Sequence, residues 1–177
     1  MKAITIWTIG HSTRTEEKFN SILLAHEIKA LVDVRSYPGS RRFPHFNKEH
    51  LAESLPRIGI EYHHEKRLGG RRTARKDSKN TGLRDPGFRG YADYMETDEF
   101  KEGIAALLEI AKNSRTAFMC AEAVYLRCHR SLISDYLEVH GHRVTHIVDV
   151  NSVKEHFFTS AARVTLKKRK LSYEGLF

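Results

Sequence analysis

The stretch MCAEAVYLRCHRS, residues 119–131, contains both cysteines of the chain together with a glutamate, two arginines and a histidine. Residues of these types support three kinds of chemistry. Thiols and an imidazole bind soft metal ions, a thiolate is a nucleophile, and arginines hold a phosphate or a carboxylate. The spacing within the stretch, and the elements that carry it, decide between these chemistries.

The arginines of this stretch suggest an anion site. Arg127, Arg130 and Ser131 lie on one face if a helix has begun by Arg127. Free backbone N–H groups at the start of such a helix would complete a pocket for phosphate. The same arginines would be structural if they pair with Glu122 and Asp33 in a buried network, and both interpretations stay open.

The two cysteines are candidate reactive thiols. Cys128 is better placed, because a helix N-terminus flanked by arginines lowers a thiol pKa. Cys120 follows apolar residues and is typical of a small buried core residue. A cysteine-phosphatase loop does not fit, since the six residues between Cys120 and Arg127 are too many and Glu122 would repel a phosphate dianion.

A zinc site would use Cys120, Cys128 and His129, with His11 as a fourth candidate. The spacing C-x7-C-H lacks the close pair of cysteines that structural zinc sites usually contain. The adjacent residues Cys128 and His129 are also awkward ligands for one ion. The spacing therefore predicts no metal site, and the sequence identifies no cofactor.

Carboxylates and a histidine follow other apolar runs. Asp33 and Glu122 each come after apolar residues, where a half-buried carboxylate near arginines acts as acid, base or stabiliser of positive charge. His11 would orient a substrate or shuttle a proton, while Ser12 and Arg35 would help to bind phosphate. Asp33 serves equally well to orient Arg35, so catalysis and orientation stay open for it.

Glycines and aromatics add weaker signals. Gly69 and Gly70, in RLGG, allow a backbone to approach a ligand closely or to form an anion-binding nest. Aromatics interleaved with arginines can stack bases and hold phosphates, or form a satellite core. These residues are Tyr37, Phe43, Phe46, Tyr91, Arg41, Arg42 and Arg89.

The elements that must position these residues alternate between strand and helix. Segments with helical periodicity separate five apolar runs that predict strands: KAITIWTIG, KALVDVR, IEYHHE, RTAFMCAEA and RVTHIVDV. This alternation predicts an α/β fold of three layers, α/β/α, with a mostly parallel sheet of about five strands. We expect a single domain over residues 1–177.

A sheet of this kind binds its ligands at the carboxyl ends of its strands. Those ends are Gly10-His11-Ser12, Asp33-Val34-Arg35 and Cys120-Ala121-Glu122. We therefore expect the three segments to meet in one cleft, with Cys120 and Glu122 on the same side of their strand.

The net charge of +8 is concentrated in the middle of the chain. Residues 36–89 contain 13 Lys/Arg and 6 Asp/Glu, including a basic loop at residues 66–85. A second basic cluster, LKKRK, lies in a C-terminal tail of about residues 152–177. Within this tail HFFTSAAR has helical character, and KLSYEGLF is expected to dock on the domain. Such charge predicts nucleotide or nucleic acid as the partner, although a solvated loop explains it too.

Composition limits the class of protein. Hydrophobic residues make up 40% and charged residues 29% of the 177 residues, as in an ordinary globular domain. No apolar run approaches the length of a membrane span or a signal-peptide core, so we expect a cytoplasmic protein without a membrane partner. The two cysteines are expected to be thiols, and the oligomeric state stays open.

Several motifs together resemble a known family. TIGHS, LVDVR followed by P-x-SRR-x-P-x-F, RLGG, YADYM, MCAEA, CHRSLI and the terminal GLF are similar to the prokaryotic family called domain of unknown function 488. The resemblance covers nearly the whole chain and implies a cytoplasmic, three-layer α/β domain without an established activity. It marks Gly10, His11, Ser12, Asp33, Arg35, Ser40, Cys120, Glu122, Cys128, His129 and Arg130.

Three functions are compatible with these residues. The first is an enzyme, a hydrolase or transferase acting on a nucleotide, a nucleoside or nucleic acid, with Glu122 or Asp33 as acid or base. The second is a non-catalytic nucleic-acid-binding module that relies on the basic loop. The third is a metal- or thiol-dependent sensor built on Cys120, Cys128 and His129.

Overall fold

A computed structural model describes residues 3–175 of the chain. Its helices are α1 (Glu16–Ala25), α2 (Lys48–Arg57), α3 (Pro86–Tyr94), α4 (Asp98–Asn113) and α5 (Arg130–Val139). Its strands are β1 (Thr5–Gly10), β2 (Ala30–Asp33), β3 (Glu61–His64), β4 (Thr116–Cys120), β5 (Arg143–Asp149), β6 (Ser152–Glu155), β7 (Arg163–Thr165) and β8 (Lys170–Ser172). Residues 1–2 and 176–177 lie outside the described residues. They are the ends of the expected domain and include most of the GLF motif.

Six strands form one sheet in the order β3-β2-β4-β1-β5-β6. The first five are parallel to one another, and β6 runs antiparallel to β5. Each predicted strand is present, which confirms the predicted α/β fold with a mostly parallel sheet. Because β4 lies between β1 and β2, the carboxyl ends of these three strands are adjacent.

Helices cover both faces of the sheet. One core cluster joins α1 and α2 to one face and includes Phe19 and Met119. A second cluster joins α3, α4 and α5 to the other face and includes Phe100, Phe118 and Cys120. Phe118 and Met119 are successive residues of β4 that face opposite clusters, because side chains alternate along a strand. Strand β4 is therefore buried on both faces, as its apolar sequence predicts.

Capping side chains explain where three of the helices begin. In α1, α3 and α4 the residue before the helix accepts a hydrogen bond from a backbone N–H of the first turn, and these residues are Thr15, Asp85 and Thr97. Between residues 3 and 175, no helix is long and apolar enough to cross a membrane.

The start of α5 differs from the prediction. Residues 125–127 form a separate 3₁₀ helix, and the extended backbone of Cys128 (φ −137°, ψ 146°) interrupts the helical path before α5 begins at Arg130. The condition for Arg127 to share a helical face with Arg130 and Ser131, a helix that has begun by Arg127, is therefore not met. A run of polar residues with helical spacing does not reveal such a break.

The C-terminal tail adds strands to the domain. Strand β6 extends the main sheet, and β7 pairs with β8 in a small antiparallel sheet. HFFTSAAR is irregular up to the start of β7 rather than helical. Tyr173, from the segment KLSYEGLF, is buried, and its hydroxyl donates to Asp135 of α5 at 2.7 Å. The tail is thus anchored by both sheet pairing and a buried hydrogen bond.

Candidate functional site

A cavity of about 230 Å³ opens at the carboxyl ends of β2 and β4. It is lined by residues 35–37, 70–71 and 120–122 together with His129. The strand-end segments of β2 and β4 thus meet as the sequence led us to expect. The end of β1 does not line this cavity, and the basic loop contributes a wall that the strand pattern did not predict.

The end of β1 supports the cavity through its backbone. The N–H of His11 donates to the carbonyl of Cys120 at 3.0 Å. A Cβ atom on Gly10 would overlap the carbonyl of Glu122, so only glycine allows the two segments to come this close. Ser12 has a left-handed backbone (φ 53°), which turns the chain away from the sheet. These three residues hold the end of β4 in position.

Asp33 and Arg35 form a buried ion pair behind the cavity wall. The Asp33 carboxylate is fully buried and accepts hydrogen bonds from Nε and Nη2 of Arg35, at 2.8 and 2.6 Å, and from the hydroxyl of Tyr62 at 2.8 Å. Burial opposes the charge of Arg35, but the hydrogen bonds and attraction from Asp33 raise its pKa above the ordinary value. Arg35 is therefore a fixed cation at the edge of the cavity.

His11 is a neutral partner of this cation. Its Nδ1 lies 2.9 Å from the carbonyl of Ser12, which can only accept, so Nδ1 carries the proton. Its Nε2 then accepts from Nη1 of Arg35 at 3.1 Å, and its ring stacks on Phe46. Burial, followed by the positive charge of Arg35, lowers the pKa of His11 to about 4.

Both thiols meet the imidazole of His129. Nδ1 of His129 lies 3.9 Å from Sγ of Cys120 and 3.6 Å from Sγ of Cys128. On the other side of the ring, Nε2 lies 3.1 Å from the carbonyl of Val34. Adjacent Cys128 and His129 thus present their ligand atoms to one point, which removes the objection that their spacing raised. His11 is not part of this group.

The two thiols differ in acidity. The hydrogen bond between the two thiols, followed by burial, raises the pKa of Cys120 far above the ordinary value. Burial opposes ionisation of Cys128, but the hydrogen bond from Cys120 and the charge of Arg130 lower its pKa well below the ordinary value. Cys128 is accordingly the more acidic thiol of the pair.

Arg130 is a buried cation that holds the loop after β4. Its side chain is 1% exposed and donates to the hydroxyl of Thr8 at 3.3 Å and to the carbonyls of Glu122 and Ala123. Its Nε has no partner, and within residues 3–175 it forms no ion pair with a carboxylate. The bond to Glu122 uses its backbone carbonyl, and Glu122 is an exposed residue that lines the cavity.

Three further candidates lie away from this cavity. Arg127 is exposed on its 3₁₀ helix, and the hydroxyl of Ser131 donates to the carbonyl of Cys128 at 2.9 Å. The hydroxyl of Ser40 accepts from the N–H of Phe43 and shapes the loop before α2. Ser131 borders a larger cavity of about 830 Å³, between residues 81–88 and the tail, which contains none of the other candidates.

The two glycines of RLGG allow the basic loop to approach the protein itself. A Cβ atom on Gly69 would overlap the hydroxyl of Ser36, and one on Gly70 would press on the ring of His129. The hydroxyl of Ser36 donates to the carbonyl of Gly70 at 2.7 Å. The glycines thus bring Gly70 and the following residue, Arg71, to the wall of the cavity.

Arg71 is the cavity residue that sequence reasoning missed. Its backbone is left-handed (φ 61°), and its guanidinium lies 5.9 Å from the ring of Tyr37, which is 70% exposed. Among the described residues Arg71 forms no ion pair. Nothing in the sequence distinguishes it from the other basic residues of the loop, because its backbone conformation depends on packing.

A second cavity, of about 560 Å³, continues from the first. It shares residues 36–37 and 70–71 with it and extends over Lys66, Arg67 and Arg72. We call the two cavities together the strand-end cleft. Its lining includes five Lys/Arg residues and two glutamates, Glu99 and Glu122, so basic groups outnumber acidic ones.

Comparison with known proteins confirms the resemblance to this family. The sequence model of the family described as Domain of unknown function DUF488 matches residues 14–137. That range includes the ends of β2 and β4 and both cysteines, but not Gly10, His11 or Ser12. Neither the curated proteins nor the solved structures include a significant match to the chain.

Proposed function

Because the chain belongs to the DUF488 family, whose description names no activity, we propose its function from the cleft itself. We propose that the strand-end cleft binds the phosphate of a nucleotide or nucleic-acid ligand. The main support is one observation: Arg35, Arg71 and the exposed ring of Tyr37 surround the same cavity. Guanidinium groups bind phosphate oxygens, and an exposed aromatic ring can stack on a base.

Arg35 is organised before any ligand arrives. Its contacts to Asp33 and to the carbonyl of Phe46, at 2.7 Å, hold the guanidinium in a single orientation. Binding then costs little side-chain entropy at this residue. These contacts and the one to His11 use four of its five N–H groups, so Arg35 would donate a single, accurately positioned hydrogen bond to a ligand.

Arg71 would supply the second phosphate contact. It has no carboxylate partner among the described residues, so binding an anion breaks no existing ion pair. Its place beside Tyr37 puts a cation and a stacking surface within reach of one nucleotide. Neither Arg127 nor Ser131, expected to bind phosphate, has a part in this proposal, since neither lines the cleft.

Any hydrolase or transferase chemistry in the cleft would use Glu122. Its carboxylate is exposed at the cavity wall, whereas Asp33 is already bonded to Arg35 and Tyr62. Asp33 fits the orienting role that the sequence left open. With its pKa near 4, His11 is neutral at pH 7 and fits a hydrogen-bonding partner better than a proton shuttle.

One observation favours the second candidate, a nucleic-acid-binding module without catalysis. The cleft continues over Lys66, Arg67 and Arg72 of the basic loop, which would follow a sugar–phosphate backbone. Such binding depends steeply on salt, by roughly one unit of log–log slope per phosphate contact. The salt slope therefore separates this candidate from a site for one nucleotide.

The test measures binding of a fluorescent mononucleotide and of a short labelled oligonucleotide by anisotropy. Arg71→Ala removes a charged hydrogen bond worth about 1.5–3 kcal/mol, so the affinity should fall roughly 10- to 100-fold. Arg57→Ala, an exposed arginine of α2 outside the cleft, is the matched control and should leave the affinity unchanged.

A second substitution separates base stacking from phosphate binding. Tyr37→Ala should weaken binding of nucleotides about 5-fold or more, because stacking contributes roughly 1–3 kcal/mol per base, yet leave pyrophosphate binding intact. Phe157→Ala, an exposed aromatic of the tail, is its control.

Two outcomes would count against the cleft as a nucleotide site. If oligonucleotides bind with a steep salt slope that is the same in wild type and Arg71→Ala, the basic surface as a whole is the functional element. If neither a nucleotide nor an oligonucleotide binds, the proposed function is wrong.

A further variant separates an enzyme from a binding module. If Glu122→Gln keeps its affinity for the nucleotide but no longer converts it, the protein is an enzyme.

A further inference from the structure

Three metal-binding side chains meet at the carboxyl end of β4. Sγ of Cys120, Sγ of Cys128 and Nδ1 of His129 all lie within 4.8 Å of one another. With zinc–sulfur bonds of about 2.3 Å and zinc–nitrogen bonds of about 2.0–2.1 Å, tetrahedral geometry puts sulfur and nitrogen about 3.6 Å apart. The distances found, 3.6 and 3.9 Å, are close to that value. A zinc ion could therefore bind Nδ1 and either sulfur with little change in these two distances, and the two sulfurs lie within 4.8 Å of each other.

The imidazole of His129 is already turned for metal binding. The carbonyl of Val34, 3.1 Å from Nε2, can only accept, so Nε2 carries the proton. In the neutral ring this leaves Nδ1 bare, with its lone pair directed at the two sulfurs. A metal-binding histidine typically donates its other N–H to a carbonyl or carboxylate in this way. The orientation of the ring is a second observation, independent of the distances.

The charges around the group suit bound thiolates. Arg130 is a buried cation with no carboxylate partner among the described residues, and its charge acts on both Cys120 and Cys128. Two thiolates with one divalent ion are neutral overall, so the buried guanidinium meets no net positive charge. Thiolate and imidazole ligands select zinc and similar soft ions, whereas Mg²⁺ and Ca²⁺ prefer oxygen ligands.

The fourth side of the group is open. Cys120 and His129 both line the smaller cavity, beside Arg35 and Glu122. Structural zinc sites have four protein ligands, whereas catalytic sites have three and leave the fourth position to water or substrate. Three ligands with one side facing a cavity correspond to the second arrangement.

We propose that Cys120, Cys128 and His129 bind one zinc ion, or a similarly thiophilic divalent cation, with its fourth position open to the strand-end cleft. The site goes beyond the proposed function and does not depend on it, because no anion-binding residue is among the three ligands. If the metal site and the proposed phosphate binding are both correct, a ligand of the cleft lies next to a Lewis acid.

The test uses the untagged full-length protein, reduced and stripped of metal with a chelator, and titrates it with Co²⁺. We expect one Co²⁺ per chain, with the visible bands of tetrahedral cobalt and a sulfur-to-cobalt charge-transfer band. Both signals should disappear when Zn²⁺ is added, because zinc displaces cobalt from sites rich in sulfur.

Ligand variants identify the site. Cys128→Ser and His129→Ala should each weaken Co²⁺ binding at least about 100-fold, since each removes one of three ligands. His50→Ala, an exposed histidine of α2, is the matched control and should bind Co²⁺ as wild type does. Circular dichroism reports whether each variant folds, and His129→Asn replaces His129→Ala if the alanine variant does not.

The proposal fails if folded, reduced wild type shows no cobalt bands at one equivalent of Co²⁺. It also fails if Cys128→Ser and the His129 variant retain the wild-type bands. Failure of nucleotide binding in the anisotropy experiment, with cobalt binding intact, would reject only the proposed function.

Discussion

Two polar clusters in this molecule, each containing histidine, have opposite surroundings. In the first, a chain of hydrogen bonds runs through the interior from Arg130 to Asp135. Arg130 donates to Thr8 at 3.3 Å, and Thr8 donates to His146 at 2.7 Å. Because the Asp135 carboxylate accepts, Nε2 of His156 donates to it at 2.8 Å, and in the neutral ring Nδ1 of His156 then accepts from Nε2 of His146 at 3.0 Å. We call these five residues the closed chain.

Every polar atom near the end of the closed chain has a partner. The carboxylate of Asp135 also accepts from the N–H and hydroxyl of Thr159, at 3.0 and 2.8 Å, and from the hydroxyl of Tyr173 at 2.7 Å. The ring of Tyr125 stacks on His146 at 3.5 Å. With no capacity left for a ligand, this cluster serves to attach the tail to α5.

The open cluster of Cys120, Cys128 and His129 contrasts with the closed chain. Its histidine has one nitrogen bonded to a backbone carbonyl and the other facing two sulfurs at the edge of a cavity. The comparison teaches that histidine content alone does not indicate function. A ring whose two nitrogens both meet nitrogen or oxygen partners in the interior stabilises the fold, whereas a ring whose second nitrogen meets only thiols beside a cavity can bind a ligand.

The largest expected effect tests the closed chain. Asp135→Ala leaves Tyr173, Thr159 and His156 without their buried acceptor, so we expect the free energy of unfolding to fall by about 3–5 kcal/mol. The thermal midpoint should drop by about 10 °C. Urea and thermal unfolding measure this, with Asp77→Ala, an exposed aspartate, as the control. A loss below about 1 kcal/mol would contradict the structural role of the chain.

A smaller effect is expected at the point where β1 meets the open cluster. In Gly10→Ala the new methyl group would overlap the carbonyl of Glu122 and approach the guanidinium of Arg130, so the loop after β4 must move. We expect a loss of about 2–3 kcal/mol in the free energy of unfolding, together with weaker Co²⁺ binding.

Gly39→Ala is the matched control for this substitution. A methyl group at Gly39 would have no atom within 4 Å. The free energy of unfolding of Gly39→Ala should therefore stay within about 0.5 kcal/mol of wild type. If Gly10→Ala behaves like Gly39→Ala, then the close contact between β1 and the loop after β4 affects neither stability nor Co²⁺ binding.

The smallest effect is a pH dependence that belongs to the closed chain. Burial, followed by the charge of His156, lowers the pKa of His146 to about 2, against about 6.5 in an unfolded chain. Below about pH 6.5 the unfolded state binds a proton that the folded state does not, so stability falls as the pH falls. The slope is at most about 1.4 kcal/mol per pH unit for one group.

His146→Gln removes this titrating ring. Between pH 6.5 and 4 its free energy of unfolding should vary less with pH than that of wild type, whereas His11, with a pKa near 4, should contribute its own slope in both proteins. Urea unfolding at pH 7 and pH 5 measures the difference. Equal pH dependence in the two proteins would mean that His146 is protonated in the folded state.

Much of the fold and part of the site could be predicted from the sequence. Five apolar runs of the right length predicted the five parallel strands, and the side chains of Thr15 and Thr97 cap the starts of two helices. The positions of Asp33 and Glu122 after strands also predicted that the ends of β2 and β4 meet. These features depend on alternation and capping, which act over a few neighbouring residues.

The remaining features depend on the tertiary structure. The insertion of β4 between β1 and β2 places Gly10 against the carbonyl of Glu122, and the loop of residues 121–127 returns Cys128 and His129 to Cys120. The spacing of the two cysteines along the sequence predicted instead that they do not share a metal site with His129.

The sequence by itself therefore determined which elements form and where their polar ends lie, because hydrophobic periodicity and turn chemistry are local. Only the tertiary structure decided that Arg130 is buried, that Arg71 reaches the cleft and that two thiols share one imidazole. The physical reason is that distances across a loop, and the burial of a long side chain, follow from packing between distant segments.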